Sequence, residues 1–322
     1  MILKGDCMKY RLGVDIGGTT ISVGIVDFEG EIIAKNSIYT LADMGHEKVI
    51  SRMIESINEL VISSKIGVEN IKSIGIGCPG ELDRENGMVL FSNNIDWFDV
   101  PLKSYVENKL DLPVLIENDA NCAALGEFHV GSGQRYNNMI MVTLGTGIGG
   151  SVIIDKKLYL GKNGGANIIG HTVIQMDGKQ CNCGRKGCWE CYASVSALIE
   201  QAVEISVKYP GSILASVRAR DGELNGKNIF EAVRSGDIAA RELFDGYVGY
   251  VAIGMVNLVN IFDPDVIVIG GGISREKEFL IDPVTRIVEK DKYCRSIKPP
   301  FIKASKLGND AGLIGAAFLG NY

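Results

Sequence analysis

Short apolar runs at residues 10–16 (YRLGVDI) and 21–28 (ISVGIVDF) flank Gly17, Gly18, Thr19 and Thr20, a spacing that predicts a β-hairpin. A third strand, EIIAKNSIY, follows. From Glu47 to Val61 the period changes: Val49, Ile50, Met53, Ile54, Ile57, Leu60 and Val61 recur at three- and four-residue steps, the stripe of an amphipathic helix. IKSIGIGCPG then returns to strand and stops at a Pro-Gly breaker. The same order appears a second time. MIMVTLG (139–145) and GGSVIIDKKLYL (149–160) read as strands around Thr146, Gly147 and Ile148, and a long helical stretch, 237–261, leads through Asp263-Pro264 into the strand VIVIG. The last segment, DAGLIGAAFLGNY, reads as a terminal helix. Two hairpin-glycine units, each followed by helix and strand, predict a duplicated α/β architecture with a cleft between the halves.

With 322 residues, 46% of them apolar, the chain is long enough for two moderate domains. Gly, Asn or Asp interrupt its longest apolar stretches within about a dozen residues, short of the roughly 20 that span a bilayer, so no membrane crossing is expected. The start, MILKGDCMKY, lacks a basic head, a sustained apolar core and a small-residue cleavage site, which points to the cytoplasm; residues 1–7 read as a lead before Met8 or a misplaced start. The net charge of -6 and the absence of a basic run make nucleic acid a poor partner. Glycine is the outlier: 40 residues, about one in eight where about 7% is ordinary. These glycines follow apolar runs in short clusters, as where a backbone turns tightly or approaches a ligand.

DIGGTT at 15–20 sets an acid at a strand end, then two glycines whose amides can face a phosphate, then hydroxyls; alone it also fits a plain glycine hairpin. TLGTGIGG at 143–150 repeats the pattern, and two such loops favour a polyphosphate gripped from both sides by backbone amides. Neither loop fits GxxxxGK[ST] or a strand-GxGxxG-helix unit, which argues against Walker and Rossmann sites. In LPVLIENDANCAALGEF a strand ends at Glu117-Asn118 and a helix begins, so Asp119 lies at a strand-to-helix junction, where it is a candidate general base or a simple helix N-cap. CNCGRKGC offers Cys181, Cys183 and Cys188, with His171 upstream; Cys3His is a closed tetrahedral set for structural zinc. Four of the eight cysteines fall between 181 and 191, too sparse overall for a disulfide scaffold. Cys191, after Trp189-Glu190 at a predicted helix start, is a competing ligand that reads better as packed.

DIGGTT, GIGCPG, ENDAN, TLGTGIGG, GH and CNCGRKGCWE, in this order from about residue 10 to the end, resemble the ROK family of sugar kinases and sugar-responsive repressors. The resemblance implies the actin-like ATPase (ribonuclease H-like) α/β fold. It puts a small domain at 1–118 plus 305–322 and a large one, carrying the zinc site, at 119–304. It also implies that Asp119 takes the proton from the sugar 6-hydroxyl as that oxygen attacks the γ-phosphate of ATP, with Asn93, Asn118, His171 and Glu190 on the sugar. Asp15 would hold Mg²⁺ through water, Gly17, Gly18, Thr19, Thr146 and Gly147 would cradle phosphates, and Gly270, Gly271 and Gly272 would accept the adenosine. Zinc would then fix the pocket wall by holding one nitrogen of His171 while the other meets the sugar. A homodimer goes with the resemblance.

One position departs. Where the family reads A-G-E-x-G-H this chain has Ala166-Asn167-Ile168-Ile169-Gly170-His171, so Ile168 replaces a sugar-binding Glu. A charged hydrogen bond is worth about 1.5–3 kcal/mol, and its loss would weaken a free hexose roughly ten- to a hundredfold. A glucose-like hexose is expected as substrate, with N-acetylmannosamine, N-acetylglucosamine or a β-glucoside as alternatives. A sugar-sensing regulator would need a helix-turn-helix ahead of DIGGTT, where 14 residues precede Asp15, and is not expected.

Overall fold

The computed structural model describes residues 9–321; the lead segment at 1–7 and Tyr322 lie outside the described residues. In chain order the elements are β1 (Tyr10–Ile16), β2 (Thr20–Asp27), β3 (Ile32–Tyr39), α1 (His46–Ser64), β4 (Ile71–Cys78), β5 (Glu81–Asp83), β6 (Met88–Ser92), β7 (Trp97–Val100), α2 (Leu102–Leu110), β8 (Val114–Asn118) and α3 (Asp119–His129). They continue with β9 (Met139–Leu144), β10 (Ile148–Ile154), β11 (Lys157–Leu158), α4 (Glu190–Ala193), α5 (Val195–Lys208), α6 (Ile213–Asp221), α7 (Gly226–Arg234), α8 (Ile238–Phe262), β12 (Val266–Gly270), α9 (Asp282–Asp291), β13 (Phe301–Ala304) and α10 (Ala311–Ala317).

Two five-stranded sheets carry the duplication. The first has the order β3-β2-β1-β4-β8, the second β11-β10-β9-β12-β13. In the first, β1 to β3 form an antiparallel meander, and β4 and β8 join in parallel. In the second, β10 and β11 are antiparallel while β9, β12 and β13 run parallel. A separate small ribbon, β5-β6-β7, had no counterpart in the hydrophobic pattern because its strands are only three to five residues long.

Chain contacts divide the protein into two units, one of 1–136, 151–166 and 306–322 and the other of 137–150 and 167–305. The boundary expected at 118/119 therefore falls at 136/137. Helix α3 stays with the first unit because it packs on α10, where Gly315 and the Cys122 carbonyl leave no room for a Cβ. The segment 151–166, expected in the large domain, also belongs to the first unit.

In the first unit α1 packs on β2, β3 and α2 and buries Val49, Ile50, Met53, Ile57 and Leu60 in a core shared with β1 and β4, at about 1.5–3 kcal/mol per fully buried side chain. Ile54 and Val61, the margins of the predicted stripe, are only partly buried, because the seven positions are wider than the face a sheet can cover. On the other side, Leu313, Ile314, Ala317 and Phe318 of the terminal segment cluster with Val26. The terminal helix is shorter than its sequence suggested: α-helix ends at Ala317 and a 3-10 turn, Phe318–Asn321, follows. It approaches β4 so closely that a Cβ on Gly75 would lie 1.8 Å from the Ala316 carbonyl oxygen. In the second unit α8 is, by length and composition, long and apolar enough to cross a bilayer, contrary to the broken pattern expected. Its Leu243, Phe244, Tyr247, Val251 and Met255 are buried, and it packs against α4, α5, α7 and α9, as a core helix does.

Candidate active site and metal centre

In the first unit, strand order brings the ends of β1, β4 and β8 side by side. Asp15, near the end of β1, pairs with Gly77 of β4, and Cys78 pairs with Asn118 at the end of β8. Ligands bind outside the carboxyl ends of such strands. Asn118 turns the chain into α3: its Oδ1 accepts from the backbone N–H of Ala120 (3.0 Å) and Asn121 (3.4 Å). The N-cap is thus Asn118, which leaves Asp119, the first helical residue, with its carboxylate half-buried and not needed for capping. Burial raises the pKa of Asp119, and the N–H groups of Ala120 and of Asp119 itself, with the Asn118 side chain, pull part of the way back. A carboxylate held above its ordinary pKa is a better proton acceptor near neutrality.

Asp15 is perturbed further, to about 6, by burial first and by the charge of Asp119 second, with Lys35 acting in the opposite sense. Lys35 is ion-paired to Asp310. The glycine turn after Asp15 is tight: Gly17 N–H donates to the Thr20 carbonyl at 2.9 Å, and the Thr40 hydroxyl donates to the Gly17 carbonyl at 2.6 Å. Gly18, Thr19 and Asn93 are exposed, and a Cβ on Gly18 would lie 3.3 Å from the carbonyl of Asn94, so the turn holding Asn93 abuts the glycine turn.

In the second unit, Glu190 opens α4, and its Oε2 accepts the Ile148 N–H at 2.8 Å. A Cβ on Gly147 would fall 2.3 Å from that same oxygen. Glu190 therefore holds the second glycine loop through one carboxylate oxygen. The turn that carries His171 meets the same strand start, since a Cβ on Gly170 would lie 2.3 Å from the Ile148 carbonyl. Trp189, fully buried, fixes the loop by donating from its indole N–H to the Tyr250 carbonyl at 2.8 Å.

Ligand atoms of His171, Cys181, Cys183 and Cys188 all lie within 4.8 Å of one another. Cys183 Sγ and Cys188 Sγ are 3.6 Å apart, and His171 Nδ1 is 3.5 Å from Cys181 Sγ. Tetrahedral zinc with Zn–S near 2.3 Å has edges of ~3.8 Å, so the donor set and its spacing fit that ion. With Nδ1 turned to the thiols, Nε2 occupies the opposite edge of the ring. Cys191 is outside the group; its thiol donates to the Gln180 carbonyl at 3.7 Å.

A cavity of about 490 Å³ opens next to Gly145 and Thr146, walled by Val195, Leu198, Ile199 and Phe230 and edged by the Arg234–Glu276 ion pair (2.5 Å). Its apolar walls and few polar groups suit a flat aromatic base. Gly272 lines it, but Gly270 and Gly271 do not. Gly271 is a close-approach residue: at φ +90° its Cβ would meet the Leu144 carbonyl oxygen at 2.0 Å. Helices α5 and α7, which supply most of the wall, carried no motif in the sequence.

Residues 11–321 match the model of the ROK family. The chain belongs to the ROK family. It is 39% identical to the glucokinase of Thermotoga maritima over 95% of each chain, and 37% identical to that of Streptomyces coelicolor over 97% of this chain and 98% of that one. A crystal structure of a ROK family glucokinase from Streptomyces griseus in complex with glucose and AMPPNP superposes with a TM-score of 0.78 at 37% identity, covering 96% of this chain and 98% of that one. The architecture is accordingly the actin-like α/β class expected from the sequence. Within it, the described residues bring Asp15, Asn118 and Asp119 together in one unit and the metal group, Glu190 and the Thr146-Gly147 loop together in the other.

Sequence reasoning missed Arg84. Its guanidinium bonds both oxygens of Glu117, at 2.7 Å (Nε to Oε2) and 2.5 Å (Nη2 to Oε1), directly behind Asn118. The partners are 33 positions apart, and no local spacing relates them.

Proposed function

We propose that this chain is an ATP-dependent kinase that transfers the γ-phosphate of ATP to the 6-hydroxyl of glucose, with Asp119 as general base. The carrying observation is the carboxylate of Asp119: freed from capping by Asn118, raised in pKa by burial, and set in a chain 37–39% identical to glucokinases along nearly its whole length. Phosphoryl transfer depends on positioning and charge stabilisation more than on covalent chemistry. Asp119 receives the hydroxyl proton as the oxygen attacks. Asn118, Asn93, Glu190 and His171 Nε2 orient the sugar hydroxyls.

Amides of Gly18 and Thr19 and of the Thr146-Gly147 loop hold the phosphates, the Gly17 N–H being taken by the Thr20 carbonyl, and the 490 Å³ cavity takes the adenine. Mg²⁺, when bound, would supply charge neutralisation to the transferring phosphate, and Asp15, whose carboxylate is costly to keep charged alone, is the residue that would hold it. Zinc, when bound, supplies a rigid cross-link between His171 and the three thiols, so the rotamers of the sugar-facing wall are fixed before substrate arrives. ADP release coupled to a reporter, screened over glucose, mannose, fructose, allose, N-acetylglucosamine, N-acetylmannosamine and β-glucosides, tests the reading. Glucose is expected as the best acceptor, with Asp119→Asn inactive but still folded; an active Asp119→Asn enzyme would remove the base from its role.

A further inference from the structure

Glu117 is nearly fully buried, and every hydrogen bond it makes bears on the catalytic turn. Its Oε1 accepts from Arg84 Nη2 (2.5 Å), from the backbone N–H of Asn118 (2.7 Å) and from Asn121 Nδ2 (2.9 Å), while Oε2 accepts from Arg84 Nε (2.7 Å). Asn121 Oδ1 in turn accepts from the Ser151 hydroxyl at 2.6 Å. Arg84 reaches this site from the turn between β5 and β6, and its Nη1 lies 2.7 Å from where a Cβ on Gly164 would be, so no side chain stands over it.

From this arrangement we propose that Arg84 is a positioning residue for phosphoryl transfer, acting on Asp119 through Glu117 and Asn118. The proposal rests on the reading of Asp119 as base. A carboxylate this buried costs free energy unless its oxygens find donors, and here four reach them. The bidentate fork of Arg84 meets that need, and a lysine could meet it only at one point. With the charge balanced, Glu117 fixes the Asn118 N–H on one side while Asn118 Oδ1 caps α3 on the other. The peptide leading into Asp119 is thereby held from both ends. Without Arg84 the buried carboxylate loses two of its four donors and its fixed orientation, Asn118 loses its anchor, and Asp119 drifts; a displacement of about 1 Å costs on the order of a hundredfold in rate.

The test compares wild type, Arg84→Met, Arg84→Lys, Glu117→Gln and Asp119→Asn in steady-state kinetics with glucose and ATP varied separately, alongside thermal melts. Arg84→Met is expected to lower kcat roughly 10- to 100-fold with KM for ATP changed less than about twofold, because the nucleotide cavity is built from other elements. Arg84→Lys is expected to recover part of the loss. Wild-type kcat in Arg84→Met, or equal loss of kcat and ATP affinity in both Arg84 variants, overturns the proposal. If Arg84→Met does not fold, Glu117→Gln decides, and an unchanged kcat there overturns it equally. Failure of the broader reading looks different: wild type that does not phosphorylate glucose, or an active Asp119→Asn.

Discussion

Replacing Asp15 by Asn is expected to stabilise the protein and inactivate it at once. Burial and the neighbouring charge of Asp119 raise Asp15 from 3.8 to about 6 in the folded chain. Between those values the folded state keeps the proton longer than the unfolded state, so stability falls as pH rises through the window. The full shift corresponds to ~3 kcal/mol, of which about half is felt at pH 5 and nearly all by pH 8. An Asn at this position cannot ionise. Urea denaturation without Mg²⁺ or nucleotide is therefore expected to show Asp15→Asn more stable than wild type by about 1.5 kcal/mol at pH 5 and ~3 kcal/mol at pH 8, with similar m-values. In a chain of 322 residues the larger figure is a melting shift of ~4 °C. A stability difference that is flat with pH, or that grows as pH falls, refutes the reasoning. Adding MgATP is expected to narrow the gap, since only the wild-type carboxylate gains a cation.

Elemental analysis is expected to find one zinc per chain, and Cys183→Ser to lose it while raising KM for glucose more than KM for ATP; a metal-free protein with unchanged kinetics would refute the cross-link. Glu127 is fully buried, and its carboxylate accepts the N–H groups of Ser132 (2.8 Å), Lys306 (2.8 Å) and Leu307 (2.7 Å), so Glu127→Gln is expected to cost about 2–4 kcal/mol in chemical denaturation. A loss below about 0.5 kcal/mol would show that these donors find water instead. Ile168 is 63% exposed in the turn before His171, and Ile168→Glu is expected to lower KM for glucose about tenfold or more; an unchanged KM would mean that the glucose hydroxyls are already satisfied.

The strands and the long helices were legible because each is a run of apolar residues with one period, and the glycine loops because they interrupt such runs. The metal group was legible for a different reason: its three thiols lie within eight residues, so spacing alone implied proximity. Asn167 shows a finer case. It stands where the family has Gly, and the structure gives it φ +74°, a left-handed conformation that Asn tolerates better than most residues. Contacts between distant positions leave no such mark in the sequence. Arg84 and Glu117 pair across the first unit, the cavity walls come from α5 and α7, and α3 stays with the first unit because of a helix nearly 200 positions later. No local pattern encodes any of these, since each joins elements far apart in the chain.

The close fit of α10 against β4 and α3 also orders events in time. Residues 306–321 complete the first unit, yet they are synthesised after all of the second. At roughly 5–20 residues per second, the ribosome spends on the order of 10–30 s between the end of α3 and the start of α10. Throughout that interval β1 and β4 lack the cover of Leu313 and Ala316, and Asp15 lacks the backbone at Gly312 that crowds its carboxylate. A chain that stops before α10 therefore carries Asp15 and Asp119 without the packing that surrounds Asp15 in the folded protein. Helix α10 thus ties the surroundings of Asp15 to a segment made nearly 300 residues later.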